Sequence, residues 1–431
     1  MTTLPLFPDL RSTSTVEKNE RSGTFVDNMK LPIHRWFKYS AGFSAQWVES
    51  VLADHIAEKG EVAICDPFAG SGTTLLVADG MGIPSWGVEA HPFVARIAAS
   101  KLLWHTSATQ LRDKGNEMME RAHKGKKSSI KYPQLIYKCF DENTLNSLDR
   151  LKSSWQAIDD GSSAAKLVWL ALTAILRPSS SAGTAQWQYI LPNKRKKSTT
   201  EPFVAFANQI ALMSADMEEY QRKVDCSQAN LLCGDARDFP QVQDRSVDLI
   251  ITSPPYANNY DYADATRFEM SFWKEISSWG DLHESVRKYL IRSSSQHASK
   301  EKLELNDLLS EKAIEPIVTE LAKVCNKLSE ERLLHGGKKH YHTMIAAYFV
   351  DMAKVWHELR RICREGATAC FIVGDSAPYG VYVPIDQWLG QLAVAAGFKC
   401  FHFEKLRDRN VKWKNRKHRV PLHEGRLWVR G

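Results

Sequence analysis

One stretch constrains the fold more than any other: EVAICDPFAGSGTTLLVADGMGIPSWGVEAHPFVARIAASK, from Glu61 to Lys101. Ala63–Cys65 reads as a short buried strand, and a glycine-rich turn follows it. A helix is expected from Thr73 to Asp79, a second strand over Ser85–Val88, and a second helix from His91 to Lys101. Strand, turn, helix, strand and helix in that order mark a doubly wound α/β sheet. The alternation stops after residue 105 and resumes at Ala229, where NLLCGDARDF and SVDLIITSPPY each pair a strand with a turn. Near the end, Thr368–Val373 reads as a strand, Asp386–Ala396 as a helix stopped by Gly397, and Phe398–Leu406 and Gly425–Val429 as closing strands. A helix over Tyr348–Glu365, stopped by Gly366, is expected before them.

This pattern divides the chain. Residues 1–27 are polar and Ser/Thr-rich without periodicity, the form of a partly disordered arm. The expected units are a ligand-binding half of an α/β domain over 28–104 and a mainly helical insertion over 105–225. A second α/β segment follows over 226–274, then a helical insertion over 275–345 and the rest of the α/β core over 346–431. Before the first strand, Ser44 is the expected N-cap of a helix that Gly60 ends.

Charge sharpens the picture. The net charge is +7, yet residues 405–431 carry ten Lys and Arg against two acids, so the rest of the chain is close to neutral. One terminal segment that interleaves bases with Trp413 and Trp428 suits contact with phosphate, although charge runs are often only solvated faces. A second basic run, Lys194-Arg195-Lys196-Lys197, is shorter. No apolar run reaches the ~20 residues of a membrane span, and no secretory signal is evident. The eight Cys form no CxxC pair, which argues for reduced thiols and against a Cys-rich zinc site. A metal reading of His335, His340 and His342 lacks an acidic partner.

Four constellations carry chemistry. Asp66-Pro67-Phe68-Ala69-Gly70-Ser71-Gly72-Thr73-Thr74 lets a ligand approach the backbone and meet helix N-terminal N–H groups. It is no Walker loop, since no Lys follows Gly72, and no GxGxxG, since position 75 is Leu. Glu89, at the next strand end, is placed to accept from two ribose hydroxyls. Asp235, in CGDARDF, is placed to accept from an adenine amine. Each acid also has a plain reading, a solvated strand end for Glu89 and an Asx turn for Asp235. In Thr252-Ser253-Pro254-Pro255-Tyr256, two prolines stiffen the backbone and remove two donors. Ser253 and the Pro254 carbonyl are then free to accept from an exocyclic amine, with Tyr256 as a stacking face for an extruded base.

DPFAGSGTT, Glu89, GDARDF and TSPPY, in this order, resemble the amino-group DNA methyltransferases that use S-adenosyl-L-methionine. The Ser-Pro-Pro-Tyr form resembles their cytosine-N4 group. The resemblance covers about residues 30–105, 229–273 and 367–431. It implies a Rossmann-like class I methyltransferase fold: a mixed seven-stranded α/β sheet whose helical insertions act as the target recognition region. It implies that Phe43, Ser44, Asp66, Phe68, Gly70, Gly72, Thr73, Glu89 and Asp235 bind the cofactor. Ser253, Pro254, Pro255 and Tyr256 would hold the target base. Gly374-Asp375-Ser376, with Gly380 and Pro384, resembles a later motif of the family near that base.

The implied reaction is methylation of cytosine N4 in double-stranded DNA, with adenine N6 as the alternative. An RNA methyltransferase and a catalytically dead DNA-binding module stand further off. Enzymes acting on cytosine C5 need a Cys nucleophile in a Pro-Cys pair, and this chain has no such dipeptide. Tyr260, Arg267, Arg407, Arg409, Lys414, Arg416, Lys417 and Arg419 are the expected DNA contacts. The resemblance also implies a cytoplasmic, prokaryotic protein held at the nucleoid by DNA. A separately encoded restriction endonuclease is the expected companion, with no membrane and no metal required.

Overall fold

A computed structural model describes residues 25–125, 131–185, 188–224, 228–258, 260–296, 301–409 and 420–431. Most of the N-terminal arm, together with Trp413, Lys414, Arg416, Lys417 and Arg419, lies outside the described residues.

The strands are β1 (Ile64–Asp66), β2 (Ser85–Glu89), β3 (Ala182–Thr184), β4 (Ile190–Arg195), β5 (Ala229–Cys233), β6 (Val247–Thr252), β7 (Cys363–Gly374), β8 (Cys400–Arg409) and β9 (Leu422–Arg430). Seven of them form one sheet in the order β5-β2-β1-β6-β7-β9-β8, while β3 and β4 pair separately as a hairpin. β5, β2, β1, β6 and β7 run parallel, and β9 is antiparallel to both β7 and β8. This is the expected mixed seven-stranded α/β sheet, a Rossmann-like methyltransferase fold. The order reverses beside β1, so the carboxyl ends of β1, β2 and β6 meet at the switch point where open α/β sheets bind ligands.

The local rules hold where they are strong. α1 (Ala45–Lys59) begins at Ser44, whose hydroxyl accepts from the Trp47 N–H at 3.4 Å, and ends at Gly60 with φ at +80°. α2 (Thr73–Gly80) starts from Gly72, which sits at φ +88°, a conformation an L side chain rarely takes. α3 (Pro92–Lys101) carries Pro in its first turn.

One boundary differs. The helix expected over Tyr348–Glu365 runs from Tyr341 to Ile362, and β7 starts at Cys363 instead of Thr368. Pairing of Cys363 with Val247 draws the chain into the sheet before the helical pattern ends. Gly366, at φ +76°, falls inside the strand where the register with β6 slips, so it relieves a bulge instead of capping the helix. Buried Trp356 stacks on Phe371, with ring centroids 4.3 Å apart, and fixes the long helix to β7.

Between α3 and β5 come helices Ala108–Lys124, Gln134–Cys139, Glu142–Ile158, Ser163–Ser179 and Pro202–Gln221, interrupted by the β3–β4 hairpin. They share one apolar core with α3 and with the segment after β6. Between β6 and the long helix lie short helical turns and then helix Val318–Leu334. Among the described residues, no helix is long and apolar enough to cross a membrane.

Candidate active site

The site begins with Asp66 at the end of β1. Its carboxylate is buried and accepts from the Phe68 N–H at 3.0 Å, the Thr74 hydroxyl at 2.7 Å and the Thr252 hydroxyl at 2.6 Å. Burial pushes its pKa up to about 6, against the pull of those bonds. Asp66 therefore ties three pieces together: the glycine turn, the first turn of α2, and the residue before Ser253. It shapes the turn from beneath.

Above it, the Gly70 N–H donates to Glu89 Oε2 and the His91 N–H donates to Glu89 Oε1, both at 2.8 Å. Burial raises the Glu89 pKa to about 7 despite these donors. The carboxylate thus stands at the mouth of the turn with acceptor capacity left over. Buried Tyr39 leans over the turn: a Cβ on Gly70 would lie 3.5 Å from its ring. A Cβ on Gly42 would lie 3.8 Å from the Thr73 hydroxyl, so the segment before α1 reaches the start of α2. Buried Asn28 holds that segment, donating to the Phe43 carbonyl at 2.8 Å and accepting from the Ala45 N–H at 2.9 Å. Phe43 itself packs edge-on against Trp47 in the core, and Ser44 caps α1.

Asp235 follows β5. Its carboxylate receives a forked pair of bonds from Arg237, at 2.9 Å from Nε and 2.6 Å from Nη2. Arg237 also reaches buried Asp351 at 2.9 Å, and Arg292 binds that same carboxylate at 2.7 Å. Much of the acceptor capacity expected of Asp235 is therefore already used.

The proline turn leaves β6 directly beside the glycine turn. The Ser253 hydroxyl donates to the Ile372 carbonyl at 3.4 Å, and the Tyr256 N–H donates to the Tyr262 hydroxyl at 3.4 Å. The Arg409 guanidinium lies 5.3 Å from the centre of the Tyr256 ring and donates to the Asp375 carbonyl at 2.8 Å. Gly374 makes room for this pair: a Cβ there would come within 2.6 Å of Arg409 and 3.2 Å of Tyr256. Burial keeps the Tyr256 phenol neutral, raising its pKa well above the ordinary value.

Other expected contacts are engaged within the protein. Tyr260 is enclosed, with its ring 4.5 Å from that of Tyr262 and 5.5 Å from that of Tyr189. Arg267 pairs with Asp264 at 2.9 Å, and Arg407 with Glu424 at 2.7 Å. The basic run at the end of β4 is also tied back, with Lys196 on the Arg177 carbonyl and Arg195 on the Lys138 carbonyl. His335 stacks on Tyr379, with centroids 4.4 Å apart. Among the described residues, metal-type donor atoms gather at Asp375, Asp386 and His423, where His423 Nδ1 lies 2.7 Å from Asp375.

Sequence reasoning missed Tyr39, Asn28, Asp351 and Gln188. The aromatic segment around Tyr39 was a signal of sorts. The others carry no local pattern.

No family model matches the chain. It is 27% identical over 436 residues to the type II methyltransferase M.BsoBI of Geobacillus stearothermophilus, spanning 91% of this chain and 83% of that protein. It is 25% identical over 405 residues to the type II methyltransferase M.AvaI of Nostoc sp., spanning 87% and 81%. Among solved structures, the rRNA methyltransferase aviRa from Streptomyces viridochromogenes matches at 10% identity and a TM-score of 0.28, over 90% of this chain and 85% of that one. By sequence, the chain is a distant relative of type II methyltransferases along nearly its whole length.

Proposed function

We propose that this relative of the type II methyltransferases is a site-specific DNA methyltransferase. It moves a methyl group from S-adenosyl-L-methionine to the exocyclic amine of a base turned out of double-stranded DNA, in the setting of restriction and modification. Cytosine N4 is the favoured atom, on the Ser-Pro-Pro-Tyr form, and adenine N6 is the alternative. The observation that carries the reading is the Thr252–Asp66 bond. It joins the strand end before the proline turn to the acid beneath the glycine turn, which supports a base site and a cofactor site side by side at the switch point of the sheet.

The residues fit an adenosyl ligand. Glu89 offers a carboxylate at the strand end, Gly70 and Gly72 carry the turn through positive φ, and Tyr39 supplies an aromatic wall. When bound, the cofactor supplies an electrophilic methyl on a sulfonium. The rest falls to the protein. Tyr256 stacks the base. The Ser253 hydroxyl and the Pro254 carbonyl accept from the amine and leave its lone pair directed at the methyl. Positioning of this kind needs no covalent intermediate, and the proton of the methylated amine passes to water, directly or by relay through the Ser253 hydroxyl. Asp235 reaches adenine with the acceptor capacity that Arg237 leaves. The helical insertions read the sequence, because a pocket for one base cannot.

The deciding experiment is modified-base sequencing of DNA from cells expressing the protein. N4-methylcytosine at a fixed site is the expected result; unmodified DNA overturns the reading, and N6-methyladenine selects the alternative.

Two further results are expected. Affinity for S-adenosylmethionine should rise as pH passes upward through about 7, because only ionised Glu89 keeps a spare lone pair on both oxygens, beyond those that accept from Gly70 and His91, to accept from the ribose. The raised pKa makes the protonated form the one that stabilises the empty protein, and that contribution fades as pH rises toward 7. Calorimetry across this range should show the rise in the native protein and its absence in Glu89→Gln; a flat native profile removes Glu89 from the ribose. Replacing Arg416, Lys417 and Arg419 by Ala should weaken DNA binding and lower the salt slope by roughly one unit for each phosphate no longer neutralised. Titrations at several salt concentrations measure it, and an unchanged slope excludes phosphate binding by these three residues.

A further inference from the structure

The β3–β4 hairpin belongs to the first insertion, yet Gln188, two residues before β4, reaches the segment that covers the glycine turn. Gln188 is buried, and its amide is fully used on one short piece of backbone. Nε2 donates to the Lys38 carbonyl at 2.7 Å, and Oε1 accepts from the Ser40 N–H at 2.6 Å. These bonds straddle Tyr39, whose ring covers Gly70 of the glycine turn. Gln188 holds φ at +62°, a conformation costly for a residue with a side chain and ordinarily given to Gly in a hairpin turn. Its own carbonyl accepts from Arg177 at 2.7 Å, which braces the tip against helix Ser163–Ser179. The next residue is tied elsewhere. The Tyr189 hydroxyl accepts from the Asp261 N–H at 2.8 Å, and its ring lies 5.5 Å from that of Tyr260, in the segment that follows the proline turn.

We propose that Gln188 is a positioning residue for the cofactor pocket: it holds residues 38–40 so that Tyr39 closes over the glycine turn, and thereby makes cofactor affinity depend on the insertion. The inference rests on the reading of that pocket as the S-adenosylmethionine site. A plain hairpin has no need of an amide here, and Gly would suit the backbone better. What Gly cannot supply is the paired donor and acceptor that fix both sides of Tyr39. The adjoining Tyr189 is tied instead to the segment after the proline turn, so the two residues link the insertion to both segments.

The test uses the full chain, with S-adenosylmethionine as the probe. Gln188→Gly keeps the turn, relieves φ and removes the amide. Its Kd and KM for S-adenosylmethionine should rise about tenfold, the scale of one to two hydrogen bonds, while kcat at saturating cofactor stays within about twofold. Tyr189→Phe loses only its hydroxyl and should leave cofactor affinity unchanged while raising KM for DNA. Cofactor affinity of Gln188→Gly within twofold of the native protein overturns the proposal. So does an equal loss of cofactor affinity in both variants, which would mark general loosening of the insertion. Native protein that binds no S-adenosylmethionine overturns the reading of the pocket itself, a result distinct from both.

Discussion

Tyr256→Ala should lower turnover by roughly tenfold to a hundredfold while leaving affinity for S-adenosylmethionine within about twofold. Stacking of one base on an aromatic ring is worth about 1–3 kcal/mol, and the ring is not among Tyr39, Glu89 and the glycine turn, the residues proposed to hold the cofactor. Arg409 on its face and Gly374 beneath hold the ring at one angle. Tyr256→Phe keeps the stacking surface and should therefore keep most of the activity. Single-turnover methylation beside calorimetry separates the two quantities. Equal loss of turnover and cofactor affinity would refute the stacking role, as would full activity in the Ala variant.

The second large effect concerns stability. Asp351→Ala should cost about 3 kcal/mol, the lower end for removing one partner of a buried ion pair, because Arg237 keeps Asp235 and Arg292 keeps Glu301. Asp351 is 1% exposed, and its carboxylate accepts from Arg237, from the Arg292 side chain and from the Arg292 backbone N–H. It joins three segments far apart in the chain: the turn after β5, the early part of the second insertion, and the middle of helix Tyr341–Ile362. The guanidinium groups hold its pKa below the ordinary carboxylate range. The stabilising contribution is thus present above the unfolded pKa and is lost as pH falls through the lower folded value. Denaturant unfolding at neutral pH should show the drop in the Ala variant. A loss under about 1 kcal/mol would mean that Arg237 and Arg292 find other partners.

Much of this site is legible in the chain because its parts are local. Gly70 and Gly72 occupy positive φ in a turn that two glycines announce. Ser44 caps α1 and Gly60 ends it by rules that act over one turn of helix. Pro254 and Pro255 stiffen the turn after β6 wherever the rest of the chain goes. The limits are equally particular. Gly366 has the form of a helix stop, but pairing of Cys363 with Val247 outweighs the helical pattern and turns that glycine into a bulge. Tyr260 and Arg267 have the form of exposed contacts because composition says nothing about burial. They are held by Tyr189 and Tyr262 in the first case and Asp264 in the second.

The sequence by itself determined the alternating α/β core, the order of its motifs and the backbone chemistry of its turns. Each of these depends on residues within a few positions of one another. Only the tertiary structure decided that Thr252 bonds Asp66, that Arg237 occupies Asp235, that Arg409 lies on Tyr256, and that Gln188 of an insertion grips the backbone around Tyr39. Most of those partners meet because a parallel sheet brings the ends of distant strands together. No periodicity along the chain encodes a hydrogen bond between residues that lie in different elements of the fold.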